Sequence, residues 1–161
     1  MSGAELNWDE PRFSSEKASA AIGCNTQWLT DLISGSPVKY RLGSDEIVQR
    51  AHRRRFIFKF RTVYHLALIH ELGTRADALT LEAAGNLSRI AAEDASPADL
   101  RPDRSPRYLI IAPVTGEALI VSAETAAALV ISRAGGMADG SPTIVLGVNK
   151  VLNQVVKGLS L

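Results

Sequence analysis

Several things are scarce in this chain, and each scarcity removes a class of function. Cys24 is the only cysteine, so no intrachain disulfide can form, and a zinc site would have to recruit histidines or carboxylates. There are three histidines, His52, His65 and His70. His65 and His70 stand five apart in a helical pattern and diverge, without the i, i+4 face of a zinc pair, so no metal is expected. No apolar run approaches the roughly 20 residues that span a bilayer, and the first residues lack the charged-then-apolar layout of a signal peptide, so the expectation is a cytoplasmic protein with no membrane partner. Catalytic patterns are missing too: there is no nucleophile elbow and no recognisable acid pair. Gly135, Gly136 and Gly140 fall between a helix and a strand, whereas phosphate-cradling glycines precede a helix. The chain therefore reads as a non-enzyme without a cofactor.

What is present is core material and one concentrated charge. The 161 residues are 46% hydrophobic, enough for one medium domain or two small ones. Net charge is only +1, but it is unevenly distributed. Lys39 to Arg61 holds eight basic residues against Asp45 and Glu46, a local charge of +6 that leaves −5 for the remainder. Such a segment suits a polyanion, while the acidic remainder limits non-specific attraction; a solvated basic face is the alternative.

Residues 1–12, polar and acidic around Trp8, read as a loose arm. From Phe13 the pattern is helical: Ser14 can cap a helix with Glu16 in its first turn and Phe13 as a staple, and Ala18, Ala21 and Ile22 share a side. Gly23 stops it. Asn25 can cap a second helix, 26–33, with Leu29, Leu32 and Ile33 as its buried stripe. So short a connection, with glycine at the left-handed position, is what a helix-turn-helix requires. Residues 38–42 can form a short strand, and 55–61 a clearer one with Phe56, Phe58 and Phe60 on one face and Arg55, Ile57, Lys59 and Arg61 on the other. A nearly all-apolar helix follows from Thr62 to Leu72, ending at Gly73, then a Thr80-capped helix to about Ala92 that carries a small-residue stripe. Residues 93–107, with Pro97, Pro102 and Pro106, have the composition of a stiff linker, and the domain boundary is placed there. Beyond it, strands 108–112 and 118–121, a Ser122-capped helix to about Arg133, a strand 143–148 and an Asn149-capped last helix give the order ββαβα. If the last two strands share a sheet, the helix between them makes them parallel.

The stretch RFSSEKASAAIGCNTQWLTDLI, the basic RRRFIFKF, then TVYHLALIHELG and LTLEAAGNLSRIA resemble the MerR-like winged helix-turn-helix proteins, and more loosely the excisionase-type modules related to them. Phe13, Gly23, Cys24, Asn25, Leu29, Leu72 and Gly73 fit the family outline, over about half the chain. Ser19 stands where the family places Ala at the helix crossing, and Thr30 where it favours Arg. The family's long C-terminal dimerisation helix is replaced by an α/β segment, so metal sensing and DNA untwisting are not carried over.

The expected fold is thus α+β: a winged helix-turn-helix over residues 13–92, then a small ββαβα domain over residues 108–161. Recognition helices present their N-terminal turns to base edges. Thr26, Gln27 and Thr30 are the base-contact candidates, since Gln can bond adenine bidentately and Thr can meet a thymine methyl. Asp31 should point away from DNA, and Trp28 reads as a core cover or a sugar-phosphate contact. Arg41, Arg53, Arg54, Arg55, Lys59 and Arg61 are the phosphate-contact candidates. Cys24 reads as a small buried hydrophobe at the turn. Val151, Leu152, Val155, Val156 and Leu159, one stripe of the last helix, are expected to form a homodimer interface. No polar groups converge in the C-terminal part, so no small-molecule effector is named. The functional expectation is a homodimeric, sequence-specific transcriptional regulator on double-stranded DNA. The alternatives are a phage or mobile-element accessory protein, of small-terminase or excisionase type, and a protein-interaction adaptor.

Overall fold

The structure, a computed structural model, describes residues 7–34, 47–50, 55–75, 79–101, 103–135 and 143–161, without the side chains of 47–50, 55, 75 and 131–135. It is an α+β protein, with two three-stranded sheets among the described residues. The elements are β1 (Phe13–Ser14), α1 (Ser15–Ile22), α2 (Thr26–Ser34), β2 (Ile47–Arg50), β3 (Arg55–Phe58), α3 (Phe60–Arg75), α4 (Leu81–Asp94), a 3-10 turn (Pro97–Leu100), β4 (Arg107–Ala112), β5 (Glu117–Ser122), α5 (Ala123–Gly135), β6 (Ile144–Gly147) and α6 (Val148–Gly158). The strand expected over 38–42 lies outside the described residues.

Helix α3 is the centre. Val63, Tyr64, Leu66, Ala67, Leu68, Ile69 and Leu72 are all buried, and the helix packs on α1, α4 and α6. Gly73 lies within α3 rather than ending it, and a Cβ there would meet a Leu81 methyl at 3.1 Å. Thr80 caps α4 by accepting from the Ala83 N–H at 3.2 Å. The small stripe Ala84, Gly85, Ser88, Ala91 and Ala92 is buried, which lets α4 approach α3 closely.

Three sequence expectations change ahead of the second sheet. The strand from Arg55 ends at Phe58, and Phe60 already belongs to α3. The ring of Phe60 is fully buried, tilted against Trp8 at 4.7 Å between centroids and edge-on to Phe13 at 6.4 Å. That aromatic cluster explains the second change: residues 7–12 are a strap, whereas residues 1–6 of the expected arm lie outside the described residues. The Arg61 N–H donates to the Trp8 carbonyl at 3.2 Å and the Arg12 N–H to the Phe58 carbonyl at 3.1 Å. The strap then continues into β1, which pairs antiparallel with β3 on the side opposite β2.

The third change concerns the proline-rich stretch, which is a folded polar junction. Asp99, 2% exposed at its side chain, accepts from the Ser96 N–H at 2.9 Å and pairs with Arg107 at 2.8 Å and Arg104 at 3.4 Å. Arg107 also pairs with Asp94. Asn149, expected to cap the last helix, instead spans this junction, accepting from the Arg107 N–H at 2.8 Å and donating to the Asp99 carbonyl at 3.3 Å.

In the second sheet β4 is central, antiparallel to both β5 and β6. β5 and β6 therefore run the same way, as the intervening helix requires, but β4 separates them. Leu109, Ile111 and Leu146 face the common core, in one hydrophobic cluster with Trp8, Leu29, Phe58 and Leu68. The boundary placed at 93–107 therefore falls inside a continuous core.

Helix α6 corrects the expected dimer interface. Val151, Leu152, Val155 and Leu159 are buried within the chain and Val156 is partly buried against the same core, because α6 packs on α1 and α3. The contact is close: a Cβ at Gly158 would lie 2.5 Å from Ala21 Cα and 2.9 Å from Ala21 Cβ. Gln154 adds a hydrogen bond to the Ile22 carbonyl at 3.5 Å, at the end of α1. Substituting Gly158→Ala should destabilise the protein by about 1–3 kcal/mol through overpacking, measured by chemical denaturation of the full chain. An unchanged midpoint would mean that α6 does not sit on α1.

Candidate nucleic-acid interface

The first two helices are joined by a turn whose geometry follows from its residues. Ser14 caps α1 by accepting from the Lys17 N–H. Gly23 adopts φ 82°, the left-handed conformation that a side chain disfavours. The N–H groups of Gly23 and Cys24 both donate to the Ser19 carbonyl, at 2.9 and 3.1 Å, closing α1 as an αL cap. Asn25 then accepts from the Trp28 N–H at 2.7 Å and starts α2. At the crossing, the Ser19 hydroxyl donates to the Glu16 carbonyl at 3.1 Å and lies 3.5 Å from the Thr26 hydroxyl. Ser19 thus ties α1 to the first residue of α2. Cys24 is half-buried against the core, and burial pushes its thiol up to about 11, an unreactive state at neutral pH.

α2 has a buried inner stripe, Leu29, Leu32 and Ile33, and an exposed outer face with Thr26, Gln27 and Thr30. The structure therefore gathers the three base-contact candidates on one solvent-facing surface. Their polar groups already have local partners. The Thr30 hydroxyl donates to the Thr26 carbonyl at 2.9 Å, and the Gln27 amide donates to Asp31 at 2.7 Å. Asp31 shares that face instead of pointing away from it, since residues four apart are neighbours on a helix. Trp28 is a cover residue: it is partly buried and meets the ring of His70 on α3 edge-on at 5.1 Å.

The phosphate-contact candidates divide sharply. Arg41, Arg53 and Arg54 lie outside the described residues. Arg55 begins β3, directly opposite Arg50 on β2 in the register of the hairpin. Arg50 was counted in the basic segment but not singled out, because only strand register brings it to Arg55. Lys59 lines a polar cavity of about 190 Å³ together with Asp9, Arg61, His65, Arg89 and Glu93.

Arg61, expected as a phosphate contact, is engaged within the chain as a structural clamp. Its guanidinium donates to the carbonyls of Ala92, Glu93 and Ala95 at 2.8, 3.2 and 3.0 Å, pairs with Asp9 at 3.2 Å and stands over the Trp8 ring at 5.6 Å. A cation at the C-terminal end of α4 satisfies carbonyls that have no partner within the helix and complements its dipole. Strand alternation put Arg61 on an outward face; the early start of α3 turned it towards α4.

The two described histidines have packing roles. His65 is buried with Nε2 3.0 Å from the Gly85 carbonyl. Among the described residues no group of three or more His, Cys, Asp or Glu could hold a metal ion, and no helix is long and apolar enough to cross a membrane.

Two measurements test these assignments. Arg61→Leu should cost about 2 kcal/mol of folding stability by stranding the end of α4, read by denaturant titration; an effect confined to DNA affinity would restore the phosphate role. Burial lowers the pKa of His70, so the unfolded chain binds its proton more readily. The neutral-ring stability is fully present above the ordinary value of about 6.5 and lost as pH falls below it. Melting temperature should therefore drop less between about pH 7.5 and 5 in His70→Gln than in the wild type; parallel curves would refute the linkage.

Comparison with protein-family models and with curated proteins finds no match to this chain.

Proposed function

We propose that this chain is a cytoplasmic, sequence-specific DNA-binding regulator of transcription, acting as a homodimer, whose N-terminal half is a MerR-like winged helix-turn-helix. The observation that carries the reading is the exposed outer face of α2, with Thr26, Gln27 and Thr30 solvent-facing above a buried Leu29, Leu32 and Ile33 stripe. A polar helix face held beyond a tight turn is the shape that enters a major groove. The hairpin of β2 and β3 supports it as the wing. Its backbone register sets Arg50 opposite Arg55, and arginine is a residue type that phosphate contacts commonly use.

In this reading Gln27 and Thr30 contact base edges, Arg55 and Lys59 follow the backbone with the arginines of residues 41, 53 and 54, and Asp31 tempers affinity. Its carboxylate holds the Gln27 amide in place while repelling the polyanion, so it trades strength for orientation.

The test is to incubate the purified chain with fragmented genomic DNA at physiological salt and sequence what it retains. A few sharply enriched inverted repeats are expected. On a selected site, Gln27→Ala should weaken binding roughly 5- to 100-fold and relax sequence preference at one position. Asp31→Asn should raise affinity and lower selectivity. If two subunits together neutralise ~6–10 phosphates, affinity should fall by roughly three to five decades between 50 and 200 mM salt. Uniform recovery of genomic DNA, or a flat salt response, would overturn the reading.

A further inference from the structure

We infer that the polar cavity between the start of α3 and the end of α4 is a binding site for a tetrahedral oxyanion of the phosphate class. The recess holds about 190 Å³. One water needs only roughly 10–15 Å³ of such space, whereas pockets for drug-sized ligands begin at roughly 300 Å³. The size therefore selects a compact occupant.

The lining is graded in exposure and charge. Its most buried polar side chains, Thr62 and His65, are 4% and 2% exposed. Lys59, Arg61 and Arg89 are half-buried beside them, and the carboxylates Asp9 and Glu93 are exposed. Among the described lining residues cations thus outnumber carboxylates three to two, and the carboxylates lie on the solvent side, where their charge is best screened.

Two of the cations carry donors that the chain does not use. The Lys59 ammonium, with three hydrogens to donate, makes no side-chain hydrogen bond or ion pair in the structure. Arg61 directs Nη1 to the carbonyls of Ala92, Glu93 and Ala95 and Nε to Asp9, so its Nη2 hydrogens have no acceptor among the described residues. The same bonds neutralise what would oppose an anion here, since they engage both the carbonyl end of α4 and the nearer carboxylate. Helix polarity works in the same direction. Lys59 immediately precedes α3, and Arg61 and Thr62 lie in its first turn, the positive end of its dipole.

The shape of the occupant follows from where the cations originate. They reach the cavity from the link before α3, from α3 itself and from α4. Donors arriving from several directions suit the four oxygens of a tetrahedral anion better than the two coplanar oxygens of a carboxylate. The site goes beyond the DNA-binding reading and does not rest on it, because the same chemistry accepts a free phosphate or one belonging to a nucleic-acid backbone. Lys59 is the residue that the two readings share.

Isothermal titration calorimetry of the full chain with inorganic phosphate, at constant ionic strength and without DNA, tests the site. One phosphate per chain should bind with a Kd of about 1 mM or tighter. Lys59→Gln, and Arg89→Gln on the other helix, should each weaken binding at least about 10-fold. Lys59→Arg, which keeps the charge, should bind more tightly than Lys59→Gln, and Lys150→Gln, exposed on α6, should match the wild type. Melting curves identify any variant that has lost its fold, and the remaining ones then decide. Heat that does not saturate by about 10 mM phosphate, acetate bound as tightly as phosphate, or binding indifferent to both glutamine substitutions in the cavity would overturn the inference. Titration of duplex DNA with and without saturating phosphate identifies the source. Competition that disappears in Lys59→Gln places a backbone phosphate in the cavity, and DNA binding indifferent to phosphate makes the occupant a free anion. The two readings fail separately: a chain that binds phosphate but no DNA loses only the DNA-binding proposal, and one that selects DNA sites but binds no phosphate loses only the oxyanion site.

Discussion

The close approach of α6 to α1, at the point where Gly158 has no side chain and Ala21 has only a methyl group, is the contact on which the rest of the architecture depends. It turns two halves that differ in composition into one core. α1 is only eight residues long, too short to be stable alone, and its buried side is sandwiched between α3 and α6. The tight turn at Gly23 and the outward face of α2 inherit their position from that sandwich. The polar junction around Asp99, Arg107 and Asn149 closes the same arrangement from the other end of α6, and the Tyr64 hydroxyl reaches from α3 to the Val148 carbonyl.

Charge is used in two ways. The basic segment looked uniform as sequence, yet its last member, Arg61, is a helix clamp with all its directional bonds inside the chain. Position relative to a helix start, not charge, separated it from Lys59 two residues earlier. The consequence for the candidate interface is that its cationic character rests on the hairpin and the residues flanking it, not on the start of α3.

Local signals were legible wherever a residue's own backbone preference decided the outcome. Ser14, Gly23, Asn25, Thr80 and Ser122 stand at the turns and helix starts anticipated from their chemistry, and a turn through Thr115 and Gly116 joins β4 to β5. Long-range choices were not legible. Trp8 in a polar stretch looked like an isolated aromatic because its partner Phe60 is remote in sequence. Proline content disguised the junction at 93–107, since prolines suit a 3-10 turn as well as a linker. The apolar stripe of α6 was recognised as needing a cover, but periodicity does not say whether that cover is a second copy or α1. The outer face of α2 was read correctly as solvent-facing, whereas the pairing of Gln27 with Asp31 required the helix phase.

The sequence separation of the α1–α6 contact also governs when the protein becomes competent during synthesis. Gln154 and Ile22 are 132 residues apart, so the surface that stabilises the first two helices leaves the ribosome long after they do. Contacts of such long range slow folding, because loop closure must precede the stabilisation they bring. The nascent N-terminal half therefore holds its hairpin and turn without their final support, and the outer face of α2 acquires a fixed orientation only when translation of α6 is complete.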